Sequence, residues 1–308
     1  VITRGFSDRD NAAVAPGGAT FTFESAAARL STDTDLAQLN GGEGVARGKI
    51  RITDRSGASS VVDLSRALTV NDVLDAINSA DGINVTASVS GDGFTLTDNT
   101  GSTTTALTVA ELSGGTTAAS LGLDATAVDD TLTGNAINTL GEATVLSSLN
   151  DGNGVRRLAA QDDLQITTRD GNTFNVNLTD ATTIGDVIDA IDTASAGTVT
   201  VEASGAGLSL TDNTAGGSTF TVAAANGSNA AADLGILASD GDADGIIAGS
   251  RVKAGLNSRL LKNLNGGAGV TLGTINVNNR NGGSTDIDLS SAGSVEDVAR
   301  LINEAGAG

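Results

Sequence analysis

Three stretches of the chain repeat one order of hydrophobic and polar positions. In the first, KIRIT (49–53) and SVVDL (60–64) alternate or cluster β-branched residues on either side of DRSGAS, the pattern of a β-hairpin closed by a glycine-containing turn. The pair recurs as LQITT and TFNVNL around RDGN, and as TINVN and STDIDL around NRNGG. The period then lengthens from two to about 3.6 residues. Val70, Val73, Leu74 and Ile77 fall on one stripe while Asn71, Asp72 and Asp75 point away, which predicts an amphipathic helix. Thr69, with Asp72 three residues on, predicts a capping box that starts it. The second copy sets Ile184, Val187, Ile188 and Ile191 behind Thr183, and the third sets Val295, Val298, Ala299 and Ile302 behind Ser294.

After the helix, NVTASVS and GFTLTD predict a second hairpin in copy one, and VTVEAS and GLSLTD do so in copy two, each followed by DNT or its equivalent. A further strand, ALTVAEL or TFTVAAA, leads to a short apolar close at Leu121–Leu123 and Leu234–Ile236. The predicted module is β-β-α-β-β-β plus a helical turn, an α+β unit in which one amphipathic helix covers one antiparallel sheet. Asn40, Asn150 and Asn265 mark equivalent points 110 and 115 residues apart, a spacing that suits a small domain rather than a solenoid repeat. The predicted organisation is a tail and joint over 1–38, modules over 39–145 and 146–260, and the first half of a third over 261–308. The opening residues read as the tail of an earlier module and the whole as an internal segment of a longer protein. Gly-Gly after Asn40 and Asn265 supplies positive φ at a turn. Copy two has Asp151-Gly152 there, with about four extra residues that include Arg156 and Arg157.

Composition narrows the chemistry. The chain has no Cys, His, Met, Trp or Tyr and six Phe, so its cores are built from Val, Ile, Leu and Ala, and thin cores suit small modules. Disulfides, thiol nucleophiles and the usual general base are excluded. With 37 acidic and 17 basic residues the net charge is −20, a field that repels nucleic acid and anionic membrane surfaces. No apolar run is long enough to span a bilayer, so no membrane insertion is expected.

The strongest cation signal is DGDADGIIAGSR, in which Asp240, Asp242 and Asp244 before Gly245 match the first half of a calcium loop. The twelfth position is Arg251 rather than Glu, so an acidic turn between modules is the favoured reading. Asp162 with Asp163, and Asp129 with Asp130, are adjacent carboxylates of the kind a glycosidase pairs, but they stand in polar, loop-like sequence. Asn99 and Asn213 in DNT are not glycosylation sequons, and an Asx-type turn is expected there. The glycines of GGEGV and GGAGV lack the Lys-Ser/Thr of a phosphate loop. No catalytic residue and no cofactor are expected.

The set of features repeated here is a G-x-I-x-I hairpin, a second strand ending in DLS, a capped TVxDVxxxIN helix and a later LTDNT. It is carried by Lys49–Thr53, Asp63–Ser65, Thr69–Asn78 and Leu96–Thr100, and it resembles the flagellin hook IN motif. Copy three conforms through Asp288–Ser290 and Ser294–Asn303; copy two departs, with Leu178-Thr179-Asp180 in place of DLS and Asp192 in place of the last Asn. The resemblance implies a structural, non-enzymatic component of the bacterial flagellum, such as a hook-associated junction protein, a flagellin or a filament cap. It further implies export to the cell exterior, surface-exposed modules, assembly through terminal helices outside this segment, and partnership with copies of itself and other axial proteins. A repetitive extracellular adhesin or calcium-dependent binding module is the alternative reading, and a carbohydrate-active enzyme a third.

Overall fold

The computed structural model describes residues 33–241, 244–278 and 283–306. In the first module strands β1 (Lys49–Thr53) and β2 (Ser59–Asp63) form the leading hairpin, and α1 (Val70–Asn78) follows. The second hairpin, β3 (Val85–Ser90) and β4 (Gly93–Asp98), leads to β5 (Leu107–Glu111) and the short α2 (Thr117–Ser120). Two short strands, β6 (Ala125–Ala127) and β7 (Thr131–Thr133), complete the unit.

The second module repeats this order. It comprises β8 (Leu164–Thr167), β9 (Thr173–Val176), α3 (Ile184–Ser195), β10 (Val199–Ser204), β11 (Gly207–Asp212), β12 (Thr221–Ala224), α4 (Ala230–Asp233), β13 (Ala238–Ser239) and β14 (Ile246–Ala248). The third contains β15 (Thr274–Asn278), β16 (Ser284–Asp288) and α5 (Val295–Glu304). The α+β class and the antiparallel pairing are as expected.

The single sheet expected per module is replaced by two. One carries the order β2-β1-β5-β6 and the other β3-β4-β7; the second module repeats this as β9-β8-β12-β13 and β10-β11-β14. The short pair β6 and β7 accounts for the split. β6 adds to β5 through Val109↔Ala125, whereas β7 adds to β4 through Leu96↔Leu132, so the chain passes from one sheet to the other. Helix α1 contacts β2 and β3, the outer strands of the two sheets, and one core joins all three layers. Ile50, Ile52, Val73, Ile77, Phe94, Leu96, Leu107 and Leu121 meet there with almost no exposure.

All three long helices begin with the predicted capping box, in which Thr69, Thr183 and Ser294 accept from the backbone of Asp72, Asp186 and Asp297. Those carboxylates in turn accept the cap residues' own N–H groups. The stripe is right for the first two helices. In α5 it is corrected: Ala299 is exposed, and Leu301 packs with Val298 and Ile302 instead.

Each joint clasps the helix that follows it. Asp35, Val145 and Leu260 form isolated bridges to the cap residues Thr69, Thr183 and Ser294. The first helical N–H groups, at Val70, Ile184 and Val295, donate to Thr34, Thr144 and Arg259, so a donor that a helix start leaves unsatisfied is taken by the joint. The positive-φ turn behind the joint forms in all three copies through Asn40, Asn150 and Asn265. At the position of Gly41, Asp151 adopts φ 59°, a left-handed conformation that Asp tolerates better than most residues.

Candidate functional site

The features that tie parts of the molecule together define the candidate site. Asp98, the acid of LTDNT, is buried at the end of β4. Its Oδ1 accepts from the Thr100 N–H (2.9 Å) and hydroxyl, which is the expected Asx turn. Its Oδ2 reaches the other sheet and accepts the Arg55 N–H in the β1–β2 turn at 2.7 Å. Asp212 does the same with Thr214 and Arg169. Burial pushes the Asp98 carboxyl up, but the Arg55 N–H and the two Thr100 donors outweigh it, so the group sits below the ordinary carboxylate range and is ionised at neutral pH. The neighbouring amides of Asn99 and Asn213 donate to the Thr86 and Thr200 hydroxyls across each hairpin. LTDNT is thus the latch between the two sheets of a module, a role its local sequence does not disclose.

The second feature is the junction between modules. After Ile137 and Val252, each buried in its own module, the chain leaves that module. Leu140 enters the core of the second module, where its N–H donates to Gly205 O in the β10–β11 turn. The corresponding Leu256, in the joint before the third repeat, enters the core of the first, with its N–H on Gly91 O in the β3–β4 turn at 2.9 Å. The two crossing segments hold each other: Asn138 Nδ2 donates to Ala254 O, and Lys253 Nζ donates to Thr139 O and Gln38 O. Arg251 Nη2 contacts both oxygens of Asp92, at 2.8 and 3.0 Å. Asp92 Oδ1 also takes the Asn138 amide.

The third repeat is held to both others. Gly91 N–H donates to Glu296 Oε1, and Asp151 accepts from the Leu260 N–H and the Asn263 amide. Close approach explains two joint glycines: a Cβ on Gly141 would lie 2.8 Å from Gly41 Cα, and one on Gly42 would lie 2.5 Å from the Ala143 backbone.

A polar cleft of about 400 Å³ lies at this junction, with Asp33, Gln38, Asn138, Asp151, Lys253 and Arg259 among its lining residues. Lys253 is 8% exposed, and burial pushes its ammonium down to about 8, with Asp92 opposing the shift. The group remains mostly protonated at neutral pH and acts as a cationic crosslink between two backbone carbonyls.

The candidate residues of the sequence are placed as follows. Asp242 of the calcium-loop candidate lies outside the described residues. Asp240 is buried and accepts the Gly245 N–H at 2.8 Å, and Asp244 accepts the Ile246 N–H at 2.7 Å. Among the described residues no group of three or more acidic side chains is arranged to hold a metal ion.

Asp162 and Asp163 do not share a loop surface. Asp163 is fully buried and takes the Leu158 and Leu178 N–H groups and the Ser228 hydroxyl, while Asp162 is partly exposed and accepts the Asn175 amide. Asp129 and Asp130 are exposed beside β7. In the insertion of copy two, Arg156 forms a two-pronged pair with Asp233, and Arg157 Nη1 donates to the carbonyls of Leu178, Thr179 and Ala181. The extra residues fasten the β9–α3 turn, a function that their basic character alone did not reveal.

No family model, no curated protein and no solved structure matches the chain. Among the described residues no helix is long and apolar enough to cross a membrane.

Proposed function

We propose that these modules form the outward-facing region of a structural protein of the bacterial flagellum, of the hook-associated or flagellin type, located outside the cell and without enzymatic activity. The observation that carries this reading is the threefold recurrence of a hairpin, a capped helix and, in two copies, an LTDNT latch, in the order of the flagellin hook IN motif. Its partners are copies of itself and other axial proteins. The mechanism is architectural. Joints that clasp the next helix and cross between modules fix neighbouring units against one another, as a projection on a filament exposed to shear requires. The −20 charge keeps neighbouring projections apart and soluble.

Deleting the coding region for residues 33–306 in frame tests the reading. The expected result is flagella that still assemble but have lost density from their surface, base or tip in electron micrographs. Flagella of unchanged structure, with loss of a cell-surface binding activity instead, would contradict it and favour the adhesin.

A further inference from the structure

The segments that leave the first two modules obey one rule. In the first module the Ile137 N–H donates to Asp92 O at 2.8 Å, in the β3–β4 turn of the same module. In the second the Val252 N–H donates to Ala206 O at 2.9 Å, at the same place in the β10–β11 turn. A few residues later each segment reaches the other module. Leu140 takes Gly205 O and is 6% exposed in the second core, while Leu256 takes Gly91 O and is 1% exposed in the first. Each turn therefore receives its own exit on one carbonyl and the other module's exit on the carbonyl before it.

The contact between the two crossing segments has the same symmetry. Asn138 and Lys253 each stand one residue after the bonded Ile137 or Val252, and both are buried. Asn138 Nδ2 donates to the carbonyl of Ala254, the residue after Lys253, and Lys253 Nζ donates to the carbonyl of Thr139, the residue after Asn138. One position meets its counterpart and is met by it in return, the property of a closed, isologous interface between two like subunits. Here both partners lie in one chain. Leu140 is delivered to the second core by a segment anchored in the first, and Leu256 to the first core by a segment anchored in the second. A missing large aliphatic side chain weakens a core strongly, so each module depends on the other being folded.

Charge breaks the symmetry. Asp92 in the first turn has Ala206 as its counterpart, and Arg251 has Ala136. Asp92 holds Arg251 Nη2 and the Asn138 amide and attracts Lys253. The same exchange between two first modules would leave Asp92 without a cation. Between two second modules it would bring one Lys253 against another with no carboxylate at either turn. A buried charge without its partner is costly, and specificity arises when wrong pairings carry such a cost.

We propose that the first two modules form a closed pair that folds and unfolds as one unit through exchanged exits, and that Asp92, with Arg251 and Lys253, selects this pairing over pairing of like modules. The inference is independent of the flagellar reading.

Amide exchange in the full chain tests it. Ile191 is fully buried in the second core, and Ile191→Val is mild enough to keep the fold. It should speed the slowest amides of β8 (164–167) by about 2- to 10-fold and those of β1 (49–53) by the same factor. In an Asp92→Lys background the effect of Ile191→Val should be confined to β8, and adding Arg251→Asp should restore part of the effect at β1. Exchange that rises in β8 alone in the otherwise natural chain would overturn the shared folding unit. An effect at β1 that persists in Asp92→Lys, or that does not recover with Arg251→Asp, would overturn the selection by charge.

Discussion

Single residues hold this molecule in two ways, by filling thin aliphatic cores and by carrying buried polar ties. Ile77 is 1% exposed between the two sheets, so Ile77→Ala should lower the stability of the first module by about 2–5 kcal/mol in chemical denaturation. The equivalent Ile302 is only partly buried, and Ile302→Ala should cost less than half as much. Asp98→Ala removes the acceptor for the Arg55 and Thr100 donors and should cost about 1–3 kcal/mol, detected as faster exchange of the Arg55 amide.

Lys253 gives the pH signature. Its ammonium titrates near 8 when folded and near ~10.4 when unfolded, so between those values the unfolded chain binds more protons and stability rises with pH. Lys262, also lowered chiefly by burial and opposed by Asp233 and Asp151, adds in the same sense. Lys253→Met should therefore reduce the slope of unfolding free energy against pH over that window.

At the scale of elements, the strands and helices that repeat were legible because each is fixed by local pattern. β1, β4, β10 and β11 coincide with the predicted KIRIT, GFTLTD, VTVEAS and GLSLTD, where apolar residues alternate on a half-buried surface. The capping boxes were legible for the same reason, since cap and carboxylate are three residues apart. The second sheet was not, because β6 and β7 are three residues each and acquire their identity from strands far away in sequence. The Asx turn at Asp98 could be read from DNT, while the longer bond to Arg55 depends on how two hairpins stack.

The caps carry an acid-side prediction. The N–H and hydroxyl of Thr182, with the N–H of Thr183, hold the Asp186 carboxyl at about 2, and the N–H groups of Leu68 and Thr69 lower Asp72. Their contribution is present above the ordinary carboxylate pKa and is lost as pH falls toward about 2. Thr183→Ala should cost about 1 kcal/mol at neutral pH by the loss of the cap, and its effect should shrink in acid as Asp186 titrates.

At the scale of the whole molecule, the repeats are more interlocked than a row of beads. Nothing in the hydrophobic pattern distinguishes a leucine that returns to its own module from one that crosses, so the seat of Leu256 in the first core could not be read from sequence. Leu256→Ala should loosen the first module by about 2–5 kcal/mol although it lies 116 residues beyond Leu140 in the chain, and exchange in the β3–β4 turn would show it. Such cross-ties make a stiff array from units with small cores, a property suited to a projection that must survive drag.

We propose that this array belongs to the flagellum. Immunogold electron microscopy of the source cells, with antibody raised against residues 33–306, tests it most directly. Gold is expected along the filament, at its base or at its tip, and its position chooses among flagellin, junction protein and cap. Gold spread over the cell body, with the flagella bare, would contradict the claim.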